Sequence, residues 1–243
     1  MKRKQCAIRL TLAAVTAALL LTGCGKRETP DETTAVTTEP TAATEVYAPV
    51  TEPESADVLN RDLGNGLVIE SMGRYSGIYF EDGTDDLVSG LFSIQLKNTG
   101  TEPVQYAHVT LTQGSETYDF DFSTLPAGGV IRVLEQNRKA MPEDTGSMTA
   151  ALTTYAPFTE PLSLHEDAVK LETLDSTVTV TNLTGDPMQQ VYVYYKTVQN
   201  GVFMGGITYR AGVGSLEADG TKSTYTSHFS QTDSQVLFIT YVS

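Results

Sequence analysis

Apolar and polar residues alternate with a period of two along most of the chain. The segment "LFSIQLKN" (91–98) sets Phe92, Ile94 and Leu96 on one face, and "STVTVTN" (176–182) sets Val178 and Val180 against outward threonines. "QVLFITYV" (235–242) reads as an apolar terminal strand. Period two is the signature of a strand with one buried face. No stretch from Asp57 onward sustains the 3.6-residue period of an amphipathic helix. The predicted fold class is therefore all-β.

The alternation recurs as an internal repeat. "SIQLKNTGTEPVQYAHVTLT" lines up with "TVTVTNLTGDPMQQVYVYYK": a strand, then Asn98 or Asn182, Gly100 or Gly185, Pro103 or Pro187, and a second strand. The two asparagines stand 84 residues apart. "STLPAGG" (123–129) matches "GSLEADG" (214–220), and "TGSMTAALTTY" (145–155) matches "TDSQVLFITY" (232–241). Four corresponding stretches in the same order indicate duplication of one unit of about seven strands. Asn and Gly tolerate positive φ and make the turn, while Pro opens the next strand without needing a ladder donor. Asn200-Gly201 between two strands is a hairpin signal. Short, regularly punctuated strands predict two tandem immunoglobulin-like β-sandwich domains, at 57–163 and 164–243.

The second unit, "NLTGDPMQQVYVYYKTVQNGVFMGG" followed by "GSLEADGTKS", resembles the FxLYD-type domain of Gram-positive surface proteins and lipoproteins. The shared pattern is an Asn–Gly turn, a V-x-V-x-Y strand, a small-residue hairpin and Leu-x-x-Gly, with Lys196 where that family usually carries an acidic residue. The resemblance implies an adhesive or structural module without catalytic residues.

The amino terminus is different in kind. Lys2, Arg3, Lys4 and Arg9 precede an apolar run from about Leu10 to Leu21, shorter than the roughly 20 residues needed to span a bilayer. A basic start, a short apolar centre and small residues at the end describe a secretion signal over residues 1–23. Leu21-Thr22-Gly23-Cys24 resembles the lipobox of bacterial lipoproteins. That resemblance implies cleavage between Gly23 and Cys24, and a diacylglycerol on the Cys24 sulfur anchoring the chain to the extracytoplasmic face of the cell membrane. The sequence holds two cysteines, Cys6 and Cys24, so the processed chain keeps one and forms no internal disulfide. Two or three acyl chains make a durable anchor where one is marginal. Residues 24–56 are rich in Thr, Glu, Pro and Ala without apolar periodicity, which predicts a disordered linker spanning roughly 30 Å as a coil and up to about 100 Å extended.

Charge narrows the partners. The chain carries 16 basic and 30 acidic residues; removing 1–23 takes four basic residues and no acidic ones, leaving 12 against 30, or −18. That balance argues against nucleic acid, which selects clustered Lys and Arg. Catalytic chemistry finds little support: no G-x-S-x-G occurs, and the only histidines are His108, His165 and His228. "HEDAV" at 165 lacks the second histidine of a zinc motif, and "EDGTDD" (81–86) places Leu87 and Ser93 where an EF-hand requires glycine and glutamate. The latter reads as a solvated hairpin turn. No isopeptide bond is expected, because the last strand has no asparagine. No metal, cofactor or catalytic residue is expected.

Aromatic residues offer the one candidate surface. With Val191 and Val193 facing the core, Tyr192 and Tyr194 face outward, and Tyr209 or Phe203 is a candidate neighbour across the hairpin. Rings so placed stack on sugars or anchor a protein. The alternative use of tyrosines is ordinary cross-strand pairing on a sheet face. The leading expectation is a lipid-anchored binding or structural protein contacting an envelope protein or a cell-wall glycan. The alternative is an accessory subunit of an envelope hydrolase or transporter, or an enzyme with its site between the sandwiches.

Cys24→Ser is expected to abolish incorporation of labelled palmitate and shift the protein from the membrane to the soluble fraction. Undiminished labelling of the variant would contradict the anchor assignment.

Overall fold

The computed structural model describes residues 57–243; the signal segment, Cys24 and the Thr/Glu/Pro-rich linker lie outside the described residues. The described residues are all-β, with thirteen strands and no helix. The first seven are β1 (Asp57–Gly64), β2 (Leu67–Ile78), β3 (Leu87–Asn98), β4 (Val104–Gln113), β5 (Glu116–Leu125), β6 (Val130–Leu134) and β7 (Thr149–Pro157). The remaining six are β8 (Val169–Leu174), β9 (Thr177–Asn182), β10 (Met188–Gln199), β11 (Val202–Leu216), β12 (Thr221–Tyr225) and β13 (Ser234–Val242). They form one seven-stranded sheet in the order β1-β2-β3-β6-β11-β10-β13 and two three-stranded sheets, β5-β4-β7 and β12-β9-β8.

The internal repeat reappears as equivalent topology. β2-β3-β6 corresponds to β8-β9-β12, and β5-β4-β7 corresponds to β11-β10-β13. Each repeat supplies six equivalent strands, and β1 adds an edge to the first. The alternating residues do what their spacing predicts. Phe92, Ile94 and Leu96 are fully buried with Ile131, Val109 and Phe120 in one core, and Val178 and Val180 with Val191 and Val193 in another.

The repeated asparagines pin both units identically. Asn98 is buried; its Nδ2 donates to the carbonyls of Glu102 at 2.8 Å, Pro126 at 3.2 Å and Leu125 at 3.3 Å, and its Oδ1 accepts from the Gly100 amide at 3.0 Å. Asn182 is buried too; its Nδ2 donates to Asp186 at 2.8 Å and Glu217 at 3.0 Å, and its Oδ1 accepts from the Thr184 amide at 2.9 Å. Each asparagine thus closes its own turn and ties it to the loop that leaves the opposite sheet. A buried amide meeting its full set of partners is favourable, and the same carbonyls left orphaned are costly.

A sheet shared between repeats is the unexpected element. β6 and β11 pair in parallel through Ile131–Phe203 and Arg132–Met204, the only parallel pairing among the described residues, and this fuses β2-β3-β6 with β11-β10-β13. Val198 on β10 packs against the first core with Phe203, whereas Val191, Val193 and Tyr195 enter the second. Positions 195 and 198 of a strand lie on opposite faces, so the two small sheets cover opposite faces of the large one. Tyr195 and Lys196, adjacent and both buried, mark where β10 passes from one core to the other.

Asn98→Ala and Asn182→Ala are each expected to lower the urea-unfolding free energy by about 2–3 kcal/mol, the cost of leaving buried carbonyls and amides unpaired. A loss under about 0.5 kcal/mol for either would show that the turns do not depend on it.

Candidate functional site

The tyrosine face forms on the side of β10 away from the second core. Tyr192 and Tyr194 are half-buried, while Val191, Val193 and Tyr195 are buried behind them, as the alternation requires. Tyr192 lies under the Arg210 guanidinium, 4.3 Å from its ring centre. Tyr194 stacks on its cross-strand partner Phe238 with centroids 4.3 Å apart and planes 6° from parallel, and Phe158 meets Phe238 edge-on at 5.6 Å. Offset or edge-on rings add to simple area burial, and a guanidinium over a phenol adds a cation–π contribution. The result is a ridge of Tyr192, Tyr194 and Arg210 backed by Phe238, which packs against the first core, and by Phe158 at the end of β7.

Tyr209 is not part of it. A strict two-residue hairpin through Asn200-Gly201 would set Tyr209 opposite Tyr192. Asn200 (φ 51°) and Gly201 (φ 79°) do make that turn, and Gln199–Val202, Val198–Phe203 and Thr197–Met204 pair in strict register. The next pair is Tyr195–Tyr209, so four residues of β11, Gly205–Thr208, face the single residue Lys196. The three extra residues are an odd number and flip the face of everything beyond. Tyr209 therefore stacks on Tyr195 at 5.5 Å and on His228 at 4.9 Å, on the side of the second core.

The bulge has its own chemistry. Lys196 is fully buried, and its Nζ donates to the carbonyls of Ile207 at 2.7 Å, Gly206 at 3.0 Å and Gly205 at 3.2 Å. Three acceptors match the three protons of an ammonium. From the loop between β2 and β3, Glu81 brings a buried carboxylate to the same place. Its Oε1 accepts from the Leu134 amide at 2.7 Å and its Oε2 from the Gly206 amide at 2.5 Å. Burial pushes the Glu81 carboxyl up and the Lys196 ammonium down from their ordinary values, while the attraction between the two opposes both shifts. Gly205 and Gly206 are required here: a Cβ at Gly205, whose φ is +76°, would meet the Phe80 Cβ at 2.4 Å, and one at Gly206 would meet the Asp121 carbonyl at 1.9 Å.

The equivalent outer face of the first repeat carries different groups. His108, the counterpart of Tyr192, contacts Asp121 at 2.5 Å through Nδ1, and Thr110 at 3.1 Å and Asp119 at 3.3 Å through Nε2. Tyr106 donates to Asp121 at 2.6 Å, which together with burial and that carboxylate's charge pushes its phenol up to about 12. Gln136 also donates to Asp121. Equivalent sheets thus carry one aromatic and cationic face and one acidic face. The acidic turn at 81–86 is closed from within, since Arg138 bridges Asp82 at 2.8 Å and Asp86 at 3.0 Å while lying over Tyr79. His165 and His228 sit in connections, and among the described residues no group of three or more His, Cys, Asp or Glu side chains is arranged to hold a metal ion.

Sequence reasoning missed a cleft of about 760 Å³. Its floor is one register row across three strands, Gln95 opposite Arg132 and Arg132 opposite Met204. Its walls are the turn between β10 and β11 and the Thr232-Asp233 turn before β13. Only the Asn200-Gly201 hairpin was legible beforehand; the row depends on the β6–β11 pairing. Comparison of the chain with protein-family models and with curated proteins finds no match.

Proposed function

We propose that this chain is an extracytoplasmic lipoprotein, anchored at Cys24, that holds a paired β-sandwich unit on a Thr/Glu/Pro-rich linker and contacts an envelope protein or cell-wall polymer. No catalysis belongs to this reading. What supports it best is the ridge of Tyr192, Tyr194 and Arg210 backed by Phe238, where one exposed cation and half-exposed rings converge on the large sheet. Aromatic residues and arginine are the side chains that dominate binding energy at interfaces, and rigid presentation lowers the entropy lost on association. The lipobox, the linker composition and the resemblance of the second repeat to an adhesive module point the same way.

A second reading, an accessory subunit of an envelope hydrolase or transporter, draws on the cleft, whose lining comes from both repeats. Amides and one guanidinium dominate that lining rather than an apolar or acidic surface, so the contact role takes precedence.

Cross-linking in intact cells, followed by mass spectrometry of what residues 57–243 capture, tests the proposal alongside retention of the purified protein on isolated cell wall. Replacing both Tyr192 and Tyr194 by Ser is expected to reduce capture or retention at least about tenfold, the scale of losing two interface anchors, with the strand circular-dichroism signal kept. Full capture by the double variant would overturn the assignment of this face.

A further inference from the structure

We infer that the outer face of the small sheet β8-β9-β12 is a docking surface for an uncharged polysaccharide. It lies on the far side of the second core from the tyrosine ridge and is independent of the reading given to that ridge. The alternation of "STVTVTN" sends Val178 and Val180 into the core and leaves Thr177, Thr179 and Thr181 facing out. Direct cross-strand partners share a face, so each threonine is the centre of a row of three. In one row Thr181 bonds hydroxyl to hydroxyl with Thr221 at 2.9 Å, and in the next Thr179 does the same with Ser223 at 2.8 Å. Lys170 and Glu172 complete those two rows on β8 and meet each other at 3.0 Å. The third row sets Thr177 between Leu174 and Tyr225. Both pairings of this sheet keep strict register, whereas the other two sheets contain bulged pairings. Strand geometry makes the grid roughly 10 Å by 13 Å.

The composition of this face selects the partner. The chain has a net charge of −14, yet the ionised groups of the grid are one lysine and one glutamate that cancel. Asp175, in the turn just beyond Leu174, adds a negative charge and weighs further against polyanions. A neutral polymer is the match in charge. Hydroxyls both donate and accept, and each bonded pair keeps one proton to donate outward, which suits the hydroxyls of a sugar. Tyr225 is 73% exposed, and its side chain makes no hydrogen bond or ring contact among the described residues. With Leu174 in the same row, it gives the C–H face of a sugar ring an apolar platform. A protein partner calls for an apolar centre and a polar rim. Here hydroxyls hold the centre and the apolar pair lies at one end.

The grid is held from behind and at both ends. Val178 and Val180 anchor it against Val191 and Val193 in the second core. Asn182 closes the turn at the Thr181 end, where its Nδ2 donates to Asp186 at 2.8 Å and Glu217 at 3.0 Å. At the other end the Thr226 amide donates to the Ser176 carbonyl at 2.9 Å, which fixes the strand that carries Tyr225. A polymer would therefore meet groups already in position.

Co-sedimentation of the full-length protein in detergent with insoluble cellulose and chitin, both uncharged, tests this directly, with cross-linked carboxymethylcellulose as the anionic control. Binding to at least one uncharged polymer is expected, unchanged as salt is raised, and weaker binding to the anionic control. Tyr225→Ala and Thr179→Val are each expected to weaken binding about fivefold, the scale of one ring contact or one hydrogen bond. Because Tyr225 is largely exposed, its replacement is expected to leave the melting temperature unchanged, which keeps the test decisive should Thr179→Val destabilise the sheet. Binding to neither uncharged polymer, tighter binding to the anionic control, loss of binding as salt rises, or full binding by both variants would overturn the inference. So would binding that survives both substitutions and disappears in Tyr192→Ser, which would move the polymer to the ridge.

Discussion

The ammonium of Lys196 holds three consecutive carbonyls of a neighbouring strand, and the rest of the molecule is arranged around that fact. The bulge at Gly205–Thr208 turns its carbonyls inward, where without a donor each would carry the cost of a buried unsatisfied group. Lys196 satisfies all three at once. Glu81, arriving from the first repeat, caps the Gly206 amide on the same bulge and bonds to Leu134 at the end of β6. A buried charge of either sign alone is expensive; two of opposite sign, each saturated with backbone hydrogen bonds, are tolerated, and removing one leaves the other stranded. The pair thus ties β2–β3, β6, β10 and β11 into one arrangement.

Several features follow from that tie. The bulge turns β11 aside after its brief pairing with β6 and brings it against β5, where Ser123 and Thr208 bond at 2.9 Å and Ser123 also donates to Gly206 at 3.1 Å. The same bulge flips the face of Tyr209, sending it to the second core and leaving the outer face to Arg210. The parallel pair beside it lays Arg132 next to Met204 and so makes the floor of the cleft. The ridge and the cleft are both products of the join between repeats, and neither belongs to one repeat alone in its surroundings.

Legibility from sequence divides along the same line. Strand positions 91–98 and 176–182, the duplicated Asn98 and Asn182 turns and the outward placement of Tyr192 and Tyr194 could all be read, because each depends on local alternation or turn chemistry. The partner of Tyr209 could not. Counting back from Asn200-Gly201 is correct for three pairs and fails at Lys196, because the bulge there is stabilised by a glutamate more than a hundred residues away. A lysine among strand tyrosines, followed by Gly205-Gly206, was the one available hint. The parallel pairing of β6 and β11 involves two residue pairs about seventy positions apart, and no periodicity announces such a contact.

Glu81, from the first repeat, reaches the Gly206 amide of the second, and Lys196 beside it balances its charge; this pair is expected to hold the two repeats in one cooperative structure. Scanning calorimetry of Lys196→Met beside the unchanged chain addresses it most directly. One unfolding transition is expected for the unchanged protein. The variant is expected to show separate transitions for the repeats, with a loss of about 3–5 kcal/mol from stranding the buried carboxylate and three carbonyls. A variant that unfolds in a single transition at the original midpoint would contradict it.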